Sequence, residues 1–173
     1  MNRRTSTLTA LVAAAVLAIP AAAFAGTSTG TLSVNAAVAQ NCLINSPTLA
    51  FGSYDPIVTN ATTALQAQAT ATFTCTEGAS SVYVTAGTGN NGSHASGTTR
   101  AMSGSGSTYL SYELYTDSGY STIWNTTNSG GHTFQPTFAS SQTATATIYA
   151  SVPAGQNVQV SSYSDSVTMT INF

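Results

Sequence analysis

A strict two-residue alternation of apolar and polar side chains, recurring from mid-chain to the last residue, restricts this sequence more than any other feature. From Leu65 the odd positions read Leu65, Ala67, Ala69, Ala71, Phe73 and Cys75, with Gln66, Gln68, Thr70, Thr72 and Thr74 between them. Successive side chains on an extended strand point to opposite faces, so the pattern describes a strand with one buried and one solvated face. The alternation returns at Val82 and Val84, at Leu110, Tyr112 and Leu114, from Ala144 to Val152, and at Val158 and Val160. It closes the chain through Val167, Met169, Ile171 and Phe173. Turn-forming stretches separate the runs: Gly87 to Gly92, Ser103 to Ser107, Ser129 to Gly131 and Pro153 to Asn157. Short strands with regular turn signals predict an antiparallel β-sandwich and exclude a helix-dominated fold. Within this pattern Gly87 to Ser107, rich in Gly, Ser, Thr and Asn, reads as a long mobile loop.

The first 25 residues read differently. Arg3 and Arg4 precede an apolar run from Leu8 to Ile19, Pro20 breaks it, and Ala23-Phe24-Ala25 supplies small residues at the −3 and −1 positions. This is the form of a secretory signal peptide cleaved before Gly26. The apolar run is too short to cross about 30 Å of hydrocarbon, so no membrane insertion of the mature chain is expected. Gly26 to Phe173 has the length of one domain with its own core. Export places Cys42 and Cys75 where thiols oxidise, and a structural disulfide between them is expected. By the loop-entropy model such a bridge contributes roughly 3–4 kcal/mol.

Charge excludes whole classes of partner. The chain has 3 Lys plus Arg against 5 Asp plus Glu. It contains no lysine, and after Arg4 the one strong base is Arg100. Binding to phosphate backbones depends on neutralising charge with Lys and Arg, so neither nucleic acid nor an anionic membrane surface is an expected partner. A surface of Ser, Thr, Asn, Gln and Gly suits a protein that packs against copies of itself.

No arrangement of residues calls for catalysis, a metal or a cofactor. His94 and His132, the two histidines, sit in turn-like surroundings without a second ligand at useful spacing. Serine is abundant, but no Gly-x-Ser-x-Gly elbow accompanies it. Asp55 and Asp165 each follow a tyrosine closely and read as turn hydrogen-bond acceptors at strand starts. Trp124, the single tryptophan, reads as core. The triplet Asn60-Ala61-Thr62 matches a glycosylation acceptor by chance in so Thr-rich a chain.

One alternating stretch stands apart. Thr29 to Gln40, ahead of the first cysteine, places Leu32, Val34, Ala36 and Val38 on one face. It reads either as the first strand of its own domain or as an arm that completes a neighbour's sheet, and periodicity does not choose between them.

Several blocks in order carry a family resemblance: Phe51-Gly52-Ser53-Tyr54-Asp55, Phe73-Thr74-Cys75-Thr76, Arg100-Ala101-Met102, and Leu110 to Asp117 as LSYELYTD. The isolated Trp124 follows, and then Ser162 to Phe173 as SYSDSVTMTINF. Together they resemble the spore coat protein U domain family, which includes subunits of archaic chaperone–usher pili. The resemblance covers residues 30–173. It implies an all-β fold, an incomplete immunoglobulin-like antiparallel β-sandwich completed by a donor strand from a neighbouring subunit. The expected division is a signal peptide at 1–25, a donor-strand extension at 26–40 and the sandwich at 41–173.

The implied partners are a periplasmic chaperone, an outer-membrane usher and copies of the chain or related subunits. The implied donor face is Leu32, Val34, Ala36 and Val38. The implied groove-bordering, chaperone-pairing strand carries Val167, Met169, Ile171 and Phe173. Burying Leu32, Val34 and Val38 would contribute on the order of 5–9 kcal/mol gross, much of it offset by ordering the arm. The function this implies is a structural subunit of a surface fibre, exported through the periplasm and supporting adhesion or biofilm formation. A secreted spore-coat protein of the same fold is one alternative. A surface- or carbohydrate-binding module, with function in its loops, is another.

Overall fold

The first pairing in the chain is set by its two cysteines. In the computed structural model, which describes residues 25–173, β1 (Cys42–Asn45) runs antiparallel to β2 (Leu65–Cys75) with Cys42 directly opposite Cys75. Their sulfurs are bonded, closing a sequence separation of 33. Residues 1–24 of the expected signal peptide lie outside the described residues.

The long alternating run forms β2, and it pairs over ten positions with β6 (Thr143–Val152). This register sets Ala69 opposite Ile148, Ala71 opposite Ala146 and Phe73 opposite Ala144. In the first and third of these pairs an alanine faces a larger side chain, which lets the inner layer interdigitate. The intervening pairs, Thr70 with Thr147 and Thr72 with Thr145, fall on the outer face. On its other edge β6 pairs with β5 (Tyr109–Tyr115), which pairs in turn with β4 (Arg100–Ser103). The five-stranded sheet is therefore ordered β1-β2-β6-β5-β4.

A second sheet joins β3 (Tyr83–Ala86) to β7 (Met169–Asn172), again antiparallel. One apolar cluster fills the space between the two sheets: Phe73, Ile148, Ala150 and Val152 from β2 and β6, Leu110, Tyr112 and Leu114 from β5, and Val84 and Ala86 from β3. Trp124 lies at its centre without solvent exposure, its ring edge-on to Phe134 at 4.7 Å and its Nε1–H donating to the Val84 carbonyl at 2.8 Å. No α-helix occurs among the described residues; two short 3₁₀ turns, Gly92–His94 and Ser105–Ser107, lie in the connections.

Two expectations change. Val158 and Val160 form no strand, and Val160 is fully exposed. A two-member alternation carries too little information to specify pairing, and no neighbouring edge reaches this stretch. The segment Gly87 to Ser107 is not a free loop, because it contains β4 and is tied down along its length. The N–H of Ser96 donates to Ser111 Oγ at 2.9 Å, and the Thr99 N–H donates to Glu113 Oε2 at 2.8 Å. His94 stacks on Tyr109 with ring centroids 3.9 Å apart.

Beneath that segment lies a buried ion pair, Arg100 with Glu113. Arg100 also donates to the carbonyls of Gly87 at 2.8 Å, Ala86 at 3.1 Å and Trp124 at 2.7 Å. Glu113 accepts from the hydroxyl and the backbone N–H of Thr99. Charges removed from water are tolerated when every donor and acceptor finds a partner. Among the described residues no buried side-chain nitrogen or oxygen lacks one.

Candidate functional site

Beyond β1 the chain continues for several residues without pairing. Residues 46–53 take part in no backbone–backbone hydrogen bond among the described residues. The same holds for residues 157–163 and 165–167. These two unpaired edges are the walls of an open cleft.

The cleft has a wide part of about 1060 Å³ between Leu49–Ile57 and Asn157–Tyr163. A narrower part of about 260 Å³ continues it between Pro47–Phe51 and Tyr163–Met169. Its floor is the core itself: Met102, Leu110 and Val152 under the wide part, and Tyr112, Leu114, Trp124 and Ile148 under the narrow one. A sandwich with all its strands would cover such side chains. Here they line a trough, and the backbone on either side is left without main-chain partners.

Each wall is held in place by polar contacts behind it. Phe51 packs edge-on against Tyr112 at 5.9 Å. Tyr54 donates its hydroxyl to the Pro153 carbonyl at 2.8 Å and accepts from the Gln156 N–H at 2.9 Å. On the opposite wall Asp165 accepts from the Tyr112 hydroxyl at 2.8 Å, from the Asn90 N–H at 2.9 Å and from the Asn91 side-chain amide at 3.1 Å. This tie needs a glycine at position 89, where φ is +77° and a Cβ would fall 2.0 Å from Asp165 Oδ2. Tyr163 packs against Gly104, where a Cβ would meet its ring at 2.6 Å, and its hydroxyl lies 3.1 Å from Thr108 Oγ1. Burial, and then the hydrogen bond to Asp165 and that carboxylate's charge, push the Tyr112 phenol well above its ordinary pKa.

The sequence-predicted residues are distributed as follows. Val167 and Met169 line the narrow part of the cleft. Ile171 is half-buried against the core, and Phe173 is exposed. Leu32, Val34, Ala36 and Val38 are all exposed and belong to no strand. The chain divides after Ala36, with the sandwich occupying residues 37–173. Asp55 is a turn acceptor as expected, bonded to the N–H groups of Ile57 at 2.9 Å and Val58 at 3.1 Å. These two bonds, Ile57 first, hold its carboxyl below the usual carboxylate value. Asp165 is not one: its partners come from distant segments, because Tyr112 lies 53 residues away in sequence. His132 contacts the Ile123 carbonyl through Nδ1 at 3.1 Å.

Sequence reasoning missed the Arg100–Glu113 pair and the wall residues Leu49 and Phe51. A single arginine after Arg4, in a chain without lysine, was the available signal for the first. A gap of pairing leaves no residue signature, so only the family resemblance, whose first block begins at Phe51, pointed toward the second.

An unpaired edge on each side and apolar side chains beneath have the geometry to accept one extended strand. Main-chain hydrogen bonds would pair its backbone, and every second side chain would reach the floor.

Comparison with known proteins agrees with this architecture. A chain in the crystal structure of the CsuC–CsuE chaperone–tip adhesion subunit pre-assembly complex, from the archaic chaperone–usher Csu pili of Acinetobacter baumannii, superposes with a TM-score of 0.52 at 20% identity. The match covers 79% of this chain and 40% of that one, and this shared fold is consistent with an immunoglobulin-like sandwich. Protein U of Myxococcus xanthus is 36% identical over 183 aligned positions, spanning 100% of both chains. The profile of the Spore Coat Protein U domain matches residues 28–170, and the chain belongs to that family.

Proposed function

We propose that this chain is an exported, non-catalytic structural subunit of a chaperone–usher type surface fibre, in which the arm at residues 29–39 fills the cleft of the next copy. The observation that carries this reading is the open cleft, floored by core side chains and bordered by two unpaired backbone edges. The arm supplies the complementary part: Leu32, Val34 and Val38 are exposed at 85%, 82% and 84%, on alternate positions of a stretch that belongs to no strand. A head-to-tail contact of this kind does not close on itself and so propagates as a filament. Until an arm arrives, the open edges invite aggregation, and a periplasmic chaperone pairing with Val167, Met169, Ile171 and Phe173 would protect them. An outer-membrane usher would then exchange chaperone for arm. The likeness to a chain from a chaperone–pilus subunit complex supports this reading.

The test is periplasmic co-expression of the mature protein with its candidate chaperone, comparing wild type with Leu32→Asp/Val34→Asp. Ladders on unboiled gels are expected from wild type after chaperone removal. The variant should keep chaperone binding and form none. A wild-type chain that folds without a chaperone and stays monomeric would defeat the proposal. A second reading, a secreted coat protein of the same fold, is favoured by the full-length likeness to Protein U, and that result would select it.

A further inference from the structure

The arm joins its own sandwich with no slack. The Ala39 carbonyl accepts from Thr76 Oγ1 at 3.2 Å, the Thr76 N–H donates to the Asn41 carbonyl at 2.9 Å, and the Gln40 side-chain amide donates to the Ser80 carbonyl at 3.1 Å. The chain is therefore held to the sandwich by hydrogen bonds from Ala39 onward, one residue after Val38. When an arm lies in a cleft, the body that donates it must sit against the end of that cleft.

Strand direction selects the end. Antiparallel pairing is the more stable geometry per residue, and the wall continues through β7 to Phe173, so that the eleven residues of the arm, 29–39, reach back along it as far as Tyr163. Laid antiparallel to that wall, the arm begins beside Phe173 and ends at Tyr163. Its last residues then emerge over the wide part of the cleft, between Ile57 on one wall and Val160 on the other.

That mouth is where the sandwich exposes its large apolar side chains. Ile57 is 80% exposed, Val58 75% and Val160 fully so. The turn that presents the first two is rigid. Besides the two bonds to Asp55, Asn60 is buried, its Oδ1 accepts from the Asp55 N–H at 3.0 Å and its Nδ2 donates to the Thr63 carbonyl at 3.0 Å. The turn thus fixes two β-branched side chains in water, and apolar groups gathered at one exposed spot mark a contact surface. At the base of the arm the donating body carries a matching group, Leu43, 66% exposed on β1.

We propose that the lip formed by Ile57, Val58 and Val160 is the seat for the body of the arm-donating subunit, a second copy of this chain. Leu43 of that copy lies among the residues that meet it. This rests on the arm-in-cleft reading and adds a second contact, one that sets the direction of the arm and the stiffness of the fibre.

Two measurements separate the lip from the cleft. A synthetic peptide of residues 28–39 carries an arm without a body, and the full mature chain with Leu32→Asp/Val34→Asp can accept an arm but not donate one. Adding Val58→Asp to that chain is expected to leave peptide affinity within about twofold. In a chain with a wild-type arm, Val58→Asp or Leu43→Asp is expected to speed multimer disassembly in guanidinium by about tenfold or more. Disulfide trapping gives the direction: copies with Ala39→Cys should cross-link to copies with Ser161→Cys and not to copies with Asn172→Cys. Disassembly at the wild-type rate in both lip variants, or trapping at Asn172 instead of Ser161, would overturn the proposal. Wild-type chains that neither bind peptide nor form multimers would overturn the arm-in-cleft reading and the lip with it, a pattern distinct from failure of the lip alone.

Discussion

Replacing Arg100 by Met removes the cation of a buried pair while keeping most of the side chain's volume. Glu113 is 2% exposed and would keep only neutral donors, the hydroxyl and N–H of Thr99 and the N–H of Leu114. The carbonyls of Ala86, Gly87 and Trp124 would each lose the donor they have from Arg100. Breaking one side of such a pair typically costs about 3–5 kcal/mol, against a total stability of about 5–15 kcal/mol for a domain. With a urea m-value of about 2 kcal/mol/M, within the range for small proteins, the unfolding midpoint should fall by roughly 2 M. The fluorescence of Trp124, fully buried and bonded through its carbonyl to Arg100, reports the transition. Arg100→Met/Glu113→Leu should lose less than the sum of the two single changes, because neither charge is left alone. A midpoint shift below about 0.5 M for Arg100→Met, at unchanged m, would refute the reasoning: the pair would then contribute no more than a surface contact does.

Three further outcomes are expected. Cys42→Ala/Cys75→Ala, which opens a loop of separation 33, should cost about 4 kcal/mol by the loop-entropy model, measured as a drop in Tm in calorimetry. Gly89→Ala should strain a positive φ and displace Asp165, lowering stability by about 1–3 kcal/mol; Asp165→Ala on the Gly89→Ala background should then cost less than it does alone. The raised pKa of Tyr112 gives a stability that is complete below the unfolded phenol's value of about 10. It is lost as pH rises from there toward the folded value, so alkaline unfolding should begin above pH about 10, and Tyr112→Phe should remove that component of the pH dependence.

What the sequence disclosed follows from the range of the interactions involved. β2 and β6 were legible because their alternation is long and local, and each residue's face is fixed by its neighbours two positions away. Val158 and Val160 misled because a pair of valines satisfies the same pattern without an edge to join. Asp165 read as a local turn residue, yet its carboxylate is shared among Asn90, Asn91 and Tyr112, and contacts at such separations leave no periodic trace. The disulfide was legible from compartment and count alone. The cleft was implied by family resemblance and not by residues, since it consists of hydrogen bonds that residues 46–53 do not make.

The burial of Arg100 also bears on proteolysis and chemical labelling. After Arg4 it is the one position in the chain with Lys or Arg, and it is 1% exposed. A folded sandwich therefore offers trypsin-like proteases no accessible cleavage point, and a partly opened one offers a single point, at the start of β4. Reagents that attack lysine side chains find no target anywhere in the sequence. An assembly made of copies of this chain would resist basic-site proteases because its one remaining strong base is locked inside the core, and would offer lysine-directed cross-linkers no side chain because the sequence has none.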